Sequence, residues 1–344
     1  MKNPLVSIVL PTFNRASMLP KAINSCLNQT YKNLELIVVN DGSTDKTELI
    51  VKKFVESDPR VKYFKKKNGG LPNALNYGFE RANGDFLTWT SDDNQYRKNA
   101  IRIMIDYLVA HPKLDLVNAN MTAIKNDSVL HQADTGKIEE IKDHNPVGAC
   151  FLYKREVYEK IGDYNEDFIL AEDYDYWIRI WRSFKIGHVN KSLYIYSVNE
   201  SSLTHNRLEK IQLMTILLRL HHGFISTDKA ADLILENLKA DRDTLKLINA
   251  KELLQDAIKK TMANKVSYPL IGDLLNILMD NLEYSAGRIA NERNRLVKEN
   301  EKLANDKEKL VKEIIGYKNS ASFKLGYFLL HPLDKLKNNS LIIN

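Results

Sequence analysis

Cysteine is scarce in this chain: Cys26 and Cys150 are the only two in 344 residues. Two cysteines cannot build a disulfide framework, so they read as small core residues of a chain expected in a reducing compartment. Nowhere is there a run of about eighteen apolar residues, so no segment reads as a membrane-spanning helix. After Met1-Lys2-Asn3-Pro4 comes a short strand-like run, without the longer apolar stretch of a signal peptide. Charge of one sign is also thin, because a net +6 spread over 344 residues is a mild bias. It suits an anionic ligand or an anionic membrane surface and by itself gives no reason to expect nucleic acid. What remains, 44% hydrophobic and 27% charged, is the balance of a globular protein long enough for two or three units. The expected place is the cytoplasm, with peripheral attachment to the inner membrane face compatible with the charge.

The first half alternates strand and helix signals. Apolar, β-branched runs at 6–10, 34–39, 61–64 and 85–90 alternate with helical stretches at 17–27, 44–56 and 71–82. Strands alternating with helices imply βαβ crossovers and a mainly parallel sheet. Each of these four strands is followed by a polar cluster: Thr12-Phe13-Asn14, Asn40-Asp41, Asn68-Gly69-Gly70 and Ser91-Asp92-Asp93. Ligands of such sheets bind outside the carboxyl ends of the strands, and a chance arrangement would scatter the clusters over both ends.

After about Ala100 the rhythm changes. A helix is expected over 101–110, strands over 114–124 and 148–153, a helix over 154–161, and an acid-headed helix over 172–183. Short strands are expected at 186–189 and 193–198, and residues 125–145 are too polar to assign. Beyond 206 the signals are helical. In residues 288–315, Ile289, Leu296, Leu303 and Leu310 repeat at seven, which suits either a short coiled coil or a solvated single helix, with Arg293, Asn300 and Lys307 weakening the former. Residues 322–336 mix Phe323, Tyr327, Phe328 and leucines with lysines, as an interfacial amphipathic segment or one packed on the protein's own surface would. The expected organisation is 1–205 as an α/β domain, 206–286 as a helical domain, 287–318 as a charged helix or short coiled coil that could join copies of the chain, and 319–344 as a basic amphipathic tail.

Three clusters carry chemistry. The Asp92-Asp93 pair at a strand end can hold Mg²⁺ or Mn²⁺ against diphosphate oxygens, and the same residues also suit a helix cap. Asp41 can accept a hydrogen bond from a base or ribose, beside a capping Asp45. In Glu172-Asp173-Tyr174-Asp175-Tyr176-Trp177, one of three carboxylates can serve as a general base, with Tyr176 or Trp177 stacked on a sugar face, although helix charge complementation also calls for acids here.

Taken together the clusters resemble the family 2 glycosyltransferases of the GT-A fold. The matching residues run from Val6 to Arg15, from Val39 to Asp45, through Asn68-Gly69-Gly70 with Asn76-Tyr77-Gly78, through Ser91-Asp92-Asp93, and from Glu172 to Arg179, in the family's order over residues 4–205. The resemblance implies that Pro11, Thr12 and Phe13 line the base pocket, with Arg15 in the same donor site. It implies that Asp41 contacts the base, usually uracil, that Asn68 lies near base or ribose, and that Asp92 meets ribose or diphosphate. Asp93 would be the main metal ligand, with His205 as a late ligand, and Asp173 the catalytic base. The implied activity is metal-dependent, inverting transfer of a hexose-type sugar from a nucleotide-diphosphate sugar, usually a UDP-sugar, to a hydroxyl of a glycan or lipid-linked acceptor in bacterial cell-surface polysaccharide synthesis. Departures are Leu75, where the family often has arginine, and Ser91, where it often has a further acid. A sugar nucleotidyltransferase is disfavoured, because 11–15 lacks a Gly-rich, Arg-containing loop. A non-catalytic nucleotide-sugar-binding scaffold is disfavoured by the intact Asp93 and Asp173.

Overall fold

The computed structural model describes residues 3–126, 128–199, 207–237, 255, 295–307 and 309–310. Its centre is one mixed sheet of nine strands in the order β3-β2-β1-β4-β8-β6-β9-β5, with β7 paired to β6. The strands are β1 Val6–Thr12, β2 Leu34–Asn40, β3 Val61–Lys65, β4 Phe86–Trp89, β5 Gln95–Tyr96, β6 Leu116–Lys125, β7 Ser128–Ala133, β8 Phe151–Lys154 and β9 Ile186–Ser197. The helices are α1 Leu19–Leu27, α2 Thr47–Ser57, α3 Leu71–Phe79, α4 Ala100–Ala110, α5 Arg155–Ile161, α6 Glu172–Ser183, α7 Leu208–His221 and α8 Thr227–Asn237.

β1 and β2 are buried along their whole length, which is why they read as continuous apolar runs rather than alternating ones. β1 runs parallel to β2 and β4, and β2 runs parallel to β3. Parallel strands need helical crossovers, and α1, α2 and α3 supply them. The rest of the sheet is mixed, with β6 parallel to β9 and the other pairings departing from the parallel expectation. β8 is antiparallel to both β4 and β6, and β5 is antiparallel to β9. The unassigned polar stretch contains β7, exposed along nearly all its length, and a 3₁₀ turn at Ile138–Lys142. An exposed edge strand has no buried face to impose alternation, so its signal is weak. The two short strands expected near the end of the domain are one strand, β9, whose register against β6 jumps from Ala119–Val189 to Asn120–Ser192. The intervening Asn190 and Lys191 interrupt the apolar pattern.

α3 lies directly on β1 and β2 because Gly78 allows it. A Cβ there would stand 2.4 Å from Val9 Cγ1 and 3.1 Å from Val39 Cγ2. Gly78→Val is expected to lower stability by about 1–3 kcal/mol through overpacking, read from the denaturation midpoint. An unchanged midpoint would mean that α3 can move off the sheet.

Cys26 and Cys150 are both free and buried, as expected. The chain forms two compact units: Met1–Lys239 with Lys251–Leu278, and Ala240–Ala250 with Met279–Asn344. In the first, α7 buries apolar residues around most of its circumference, including Leu213, Ile216, Leu217 and Leu218. In the second, residues 295–307 and 309–310 are helical, and Leu296, Leu303 and Leu310 are exposed. Among the described residues no helix is long and apolar enough to cross a membrane. The expected amphipathic tail at 319–344 lies outside the described residues.

Candidate active site

Because β1 to β4 are parallel, their carboxyl ends share one edge, and the four polar clusters gather there. Backbone hydrogen bonds stitch the ends together, from Asp41 N–H to Thr12 C=O (2.9 Å) and from Lys66 N–H to Asn40 C=O (3.0 Å). Asn14 adopts a left-handed φ of 53°, which Asn tolerates better than most residues. Its N–H donates to Ser43 Oγ (2.9 Å), and its Oδ1 accepts from Thr44 N–H (2.8 Å). Asp45 takes Ala16 N–H (3.1 Å) and Thr47 N–H (2.9 Å). Much of the Asp41-to-Asp45 motif is therefore a clasp on the loop after β1. The expected cap at Thr44 or Asp45 is displaced: α2 starts at Thr47 with Lys46 at the N-cap and no side-chain cap bond, and Asp45, one residue before Lys46, accepts from the first helical N–H.

The Asp41 carboxylate is buried and accepts from Lys66 Nζ (2.7 Å), Gly69 N–H (3.0 Å) and Gly70 N–H (2.9 Å). It thus shapes the Asn68-Gly69-Gly70 turn. Gly42, at φ 83°, completes this packing, because a Cβ there would lie 2.8 Å from Asn68 N. Pro11 and Thr12 are buried in β1, Arg15 is partly exposed, and Asn68 is exposed. Phe13 is 44% exposed at the same edge. Leu75 is fully buried in α3, so no side chain from that position reaches the edge.

Asp92 and Asp93 follow β4 on the same edge, and both are partly buried. Burial, and then the charge of Asp93, push Asp92 up to about 7, against the opposing pull of the nearby Thr12 hydroxyl, Arg15 and the Phe13 N–H. The Thr12 hydroxyl is buried with no partner of good hydrogen-bond geometry. Asp93 Oδ2 accepts from Asn199 Nδ2 at 3.1 Å. The expected cap role fails, since α4 starts at Ala100 with Asn99 before it. No group of three or more His, Cys, Asp or Glu able to hold a metal occurs among the described residues. His205 lies outside them.

The third cluster reaches this edge through aromatic packing. Trp89 of β4 donates from Nε1 to Tyr164 Oη (3.1 Å), and Tyr164 stacks on Tyr176 of α6 at 4.0 Å. Asn76 holds the Tyr164 backbone with both amide atoms, at 2.9 and 2.8 Å. Asn73 donates to Glu166 (2.8 Å), and Ile169 Cδ1 lies 4.0 Å from where a Gly70 Cβ would stand. The segment leading into α6 therefore runs over the amino end of α3. Leu170 has a φ of 77°, a strained conformation for a bulky residue.

The three carboxylates of α6 separate by environment. Asp175 is buried and locked to Arg179 Nε (2.8 Å) and His222 Nε2 (2.9 Å). Glu172 is buried, its Oε2 has no hydrogen-bond partner, and burial and then the Asp173 charge push it up to about 8. Asp173 keeps partial exposure. Its Oδ1 accepts from Tyr174 N–H (2.7 Å) and its Oδ2 from Asn145 Nδ2 (3.0 Å), while burial holds it above its usual range. Tyr176 and Trp177 are fully buried. Trp177 packs edge-on to Phe151 at 4.4 Å. The expectation that either ring stacks on a sugar is therefore wrong, because both belong to the core under α6.

Glu172 makes a pH-dependent prediction. Its folded pKa of about 8 lies above the ordinary 4.5, so the folded chain holds a proton that the unfolded chain releases. Stability is then lost as pH rises from about 4.5 to about 8. Glu172→Gln is expected to match wild type at the acid end and to exceed it by about 1–3 kcal/mol above pH 8, the scale of an unpaired buried polar group. Parallel denaturation series over pH test this, and an equal gain at both ends would contradict it.

Sequence reasoning missed Asn145, Lys66 and Asn199. Each lies in a polar stretch where nothing local marks one residue from its neighbours.

The sequence profile of glycosyl transferase family 2 matches residues 7–162. An uncharacterised glycosyltransferase of Rickettsia typhi is 32% identical over 222 residues, covering 61% of this chain and 69% of that protein. The chain belongs to glycosyl transferase family 2. This family 2 glycosyltransferase spans 69% of a Rickettsia prowazekii relative but only about a third of some others, 34% in the case of a Rickettsia conorii protein. Its fold is GT-A. Residues 1–349 of Staphylococcus aureus TarS, solved with UDP-GlcNAc, superpose with a TM-score of 0.53 at 18% identity, over 68% of this chain and 71% of that one. A Pyrobaculum calidifontis mannosyltransferase, solved with GDP-Man and Mn²⁺, superposes with a TM-score of 0.52 at 16% identity, over 83% of this chain and 86% of that one.

Proposed function

We propose that this glycosyltransferase moves a sugar, with inversion, from a nucleoside-diphosphate sugar to an acceptor hydroxyl, with UDP-sugars the first donors to test and a glycan or lipid-linked saccharide as acceptor. The observation carrying this reading is the division of carboxylates around one sheet edge. Asp92 and Asp93 stand at the end of β4, and Asp173 is the one acid of α6 that is neither ion-paired nor fully buried.

Phe13, exposed beside Asp41 and Asn68, would take a face of the base, with Arg15 toward the phosphates. The Asp92-Asp93 pair fits a hard divalent cation. The charge of Asp93 disfavours ionisation of Asp92, the buried Thr12 hydroxyl has no partner of good hydrogen-bond geometry, and Mg²⁺ and Mn²⁺ need only one or two protein carboxylates when phosphates supply other ligands. Asp93 would be the principal holder, and the cation would supply Lewis-acid neutralisation of the leaving diphosphate. Asp173 would take the proton of the acceptor hydroxyl as its oxygen attacks the anomeric carbon. The bond from that carbon to the diphosphate oxygen breaks, its electron pair leaves with the nucleoside diphosphate, and a single displacement inverts the centre. Burial makes Asp173 more basic than an ordinary carboxylate, which suits this role.

The Phe13 assignment is tested by calorimetric titration with UDP and GDP. Phe13→Ala is expected to weaken nucleotide binding by about tenfold, the scale of one lost base stack. Unchanged affinity for both would remove Phe13 from the base site.

A further inference from the structure

The Asp173 carboxylate is held from two sides, by its own helix α6 and by Asn145 in the stretch after the 3₁₀ turn. The amide of Asn145 cannot turn freely, because its Oδ1 accepts from Val147 N–H (3.2 Å) and Gly148 N–H (3.3 Å), which aims its Nδ2 at Asp173 Oδ2. Both holders are pinned by the last turn of α7. Arg219 donates from Nε to Lys142 C=O (2.9 Å) and from Nη2 to Asp143 (3.0 Å), two to three residues before Asn145. At the end of the same helix, His222 Nε2 meets Asp175 Oδ1 (2.9 Å), two residues after Asp173, with both side chains almost fully buried. Arg182, further along α6, donates to the His222 carbonyl at 2.8 Å. Tyr174 Oη donates to Ile141 C=O (2.7 Å), closing the loop between α6 and the 3₁₀ turn.

We propose that Arg219 and His222 are positioning residues for the general base: the carboxyl-terminal turn of α7 sets the distance between α6 and the Asn145 segment, and so the aim of the Asp173 carboxylate. Neither side chain reaches the carboxylate itself. The inference rests on Asp173 acting as the base, and it extends the catalytic unit beyond residue 205 into the helix that follows the sheet. A base must lie within about 0.5 Å of productive geometry, and an error of about 1 Å costs up to 10²-fold in rate.

The test uses the full chain, with Arg219→Ala, Arg219→Lys, His222→Ala and His222→Gln. Amide hydrogen exchange is followed over residues 141–148 and 171–178, alongside kcat and donor KM. Both alanine variants are expected to speed exchange in the two segments while β1 to β4 keep wild-type protection. They should lower kcat about tenfold or more and leave donor KM within about twofold. The lysine and glutamine variants each keep one donor and should recover most of the loss. Arg219 lies at the rim of this contact, so Arg219→Ala decides the matter should His222→Ala fail to fold. Unaltered exchange in both segments, or faster exchange with wild-type kcat, would overturn the proposal. So would a fall in kcat matched by an equal rise in donor KM. If the wild-type chain transfers no sugar, the functional reading fails instead, and the exchange measurements still decide whether α7 holds the two segments.

Discussion

Asp173→Asn is expected to reduce kcat for sugar transfer by about 10²-fold or more, the range lost with a general base, while nucleotide affinity stays at the wild-type value. The separation follows from geometry. Asp173 stands on α6, held by Asn145 and Tyr174, while the residues proposed to bind the nucleotide stand at the carboxyl ends of β1 to β4. An asparagine there cannot satisfy both neighbours, because each presents an N–H, so Asp173→Ala serves as a second variant. Wild-type kcat should rise with pH through an ionisation above the usual carboxylate range, since burial disfavours the charged form, and both variants should lose this rise. A kcat within threefold of wild type in both would remove Asp173 as the base.

Asp93→Ala is expected to lower kcat/KM by about 10²-fold, as befits loss of a main contributor to leaving-group stabilisation, and to abolish the dependence on Mn²⁺. In wild type, chelation by EDTA should reproduce the defect, and Mn²⁺ should restore activity. In Asp93→Ala neither treatment should matter. Measuring nucleotide diphosphate affinity with and without Mn²⁺ separates donor binding from catalysis. Metal-dependent tightening that persists in the variant would assign the cation to other residues. Thermal unfolding checks that the fold survives, which is expected because Asp93 contacts only Asn199 among the described side-chain hydrogen bonds.

The parts of this arrangement legible in sequence share one physical property, a strong local pattern. β1 and β2 are buried on both faces and read as apolar runs broken only by Ser7 and Glu35 before their polar ends, and α6 spans Glu172–Ser183, the range its acidic first turn and apolar spacing imply. The clusters at strand ends were legible because parallel topology converts their place in sequence into one edge in space. What escaped depends on contacts distant in sequence. Asn145 matters only because the chain returns 28 residues later with Asp173. Asp175 and Asp173 look alike in sequence, and the pairing of Asp175 with Arg179 one turn on and with His222, 47 residues beyond, marks it as structural. Tyr176 and Trp177 resemble a sugar platform until Tyr164 and Phe151 are seen to cover them. β9 escaped as a single strand because its bulge at Asn190-Lys191 mimics a turn.

The central claim is glycosyl transfer from a nucleoside-diphosphate donor at the edge formed by β1 to β4. Its most direct test is incubation of the full chain and Mn²⁺ with a panel of UDP- and GDP-sugars and a mixture of saccharide acceptors. Released nucleotide is quantified, and the anomeric configuration of the product is read by proton NMR. Nucleoside diphosphate release from at least one donor is expected, stoichiometric with a glycoside of inverted configuration. Release of no nucleotide, or a glycoside of retained configuration, would contradict it.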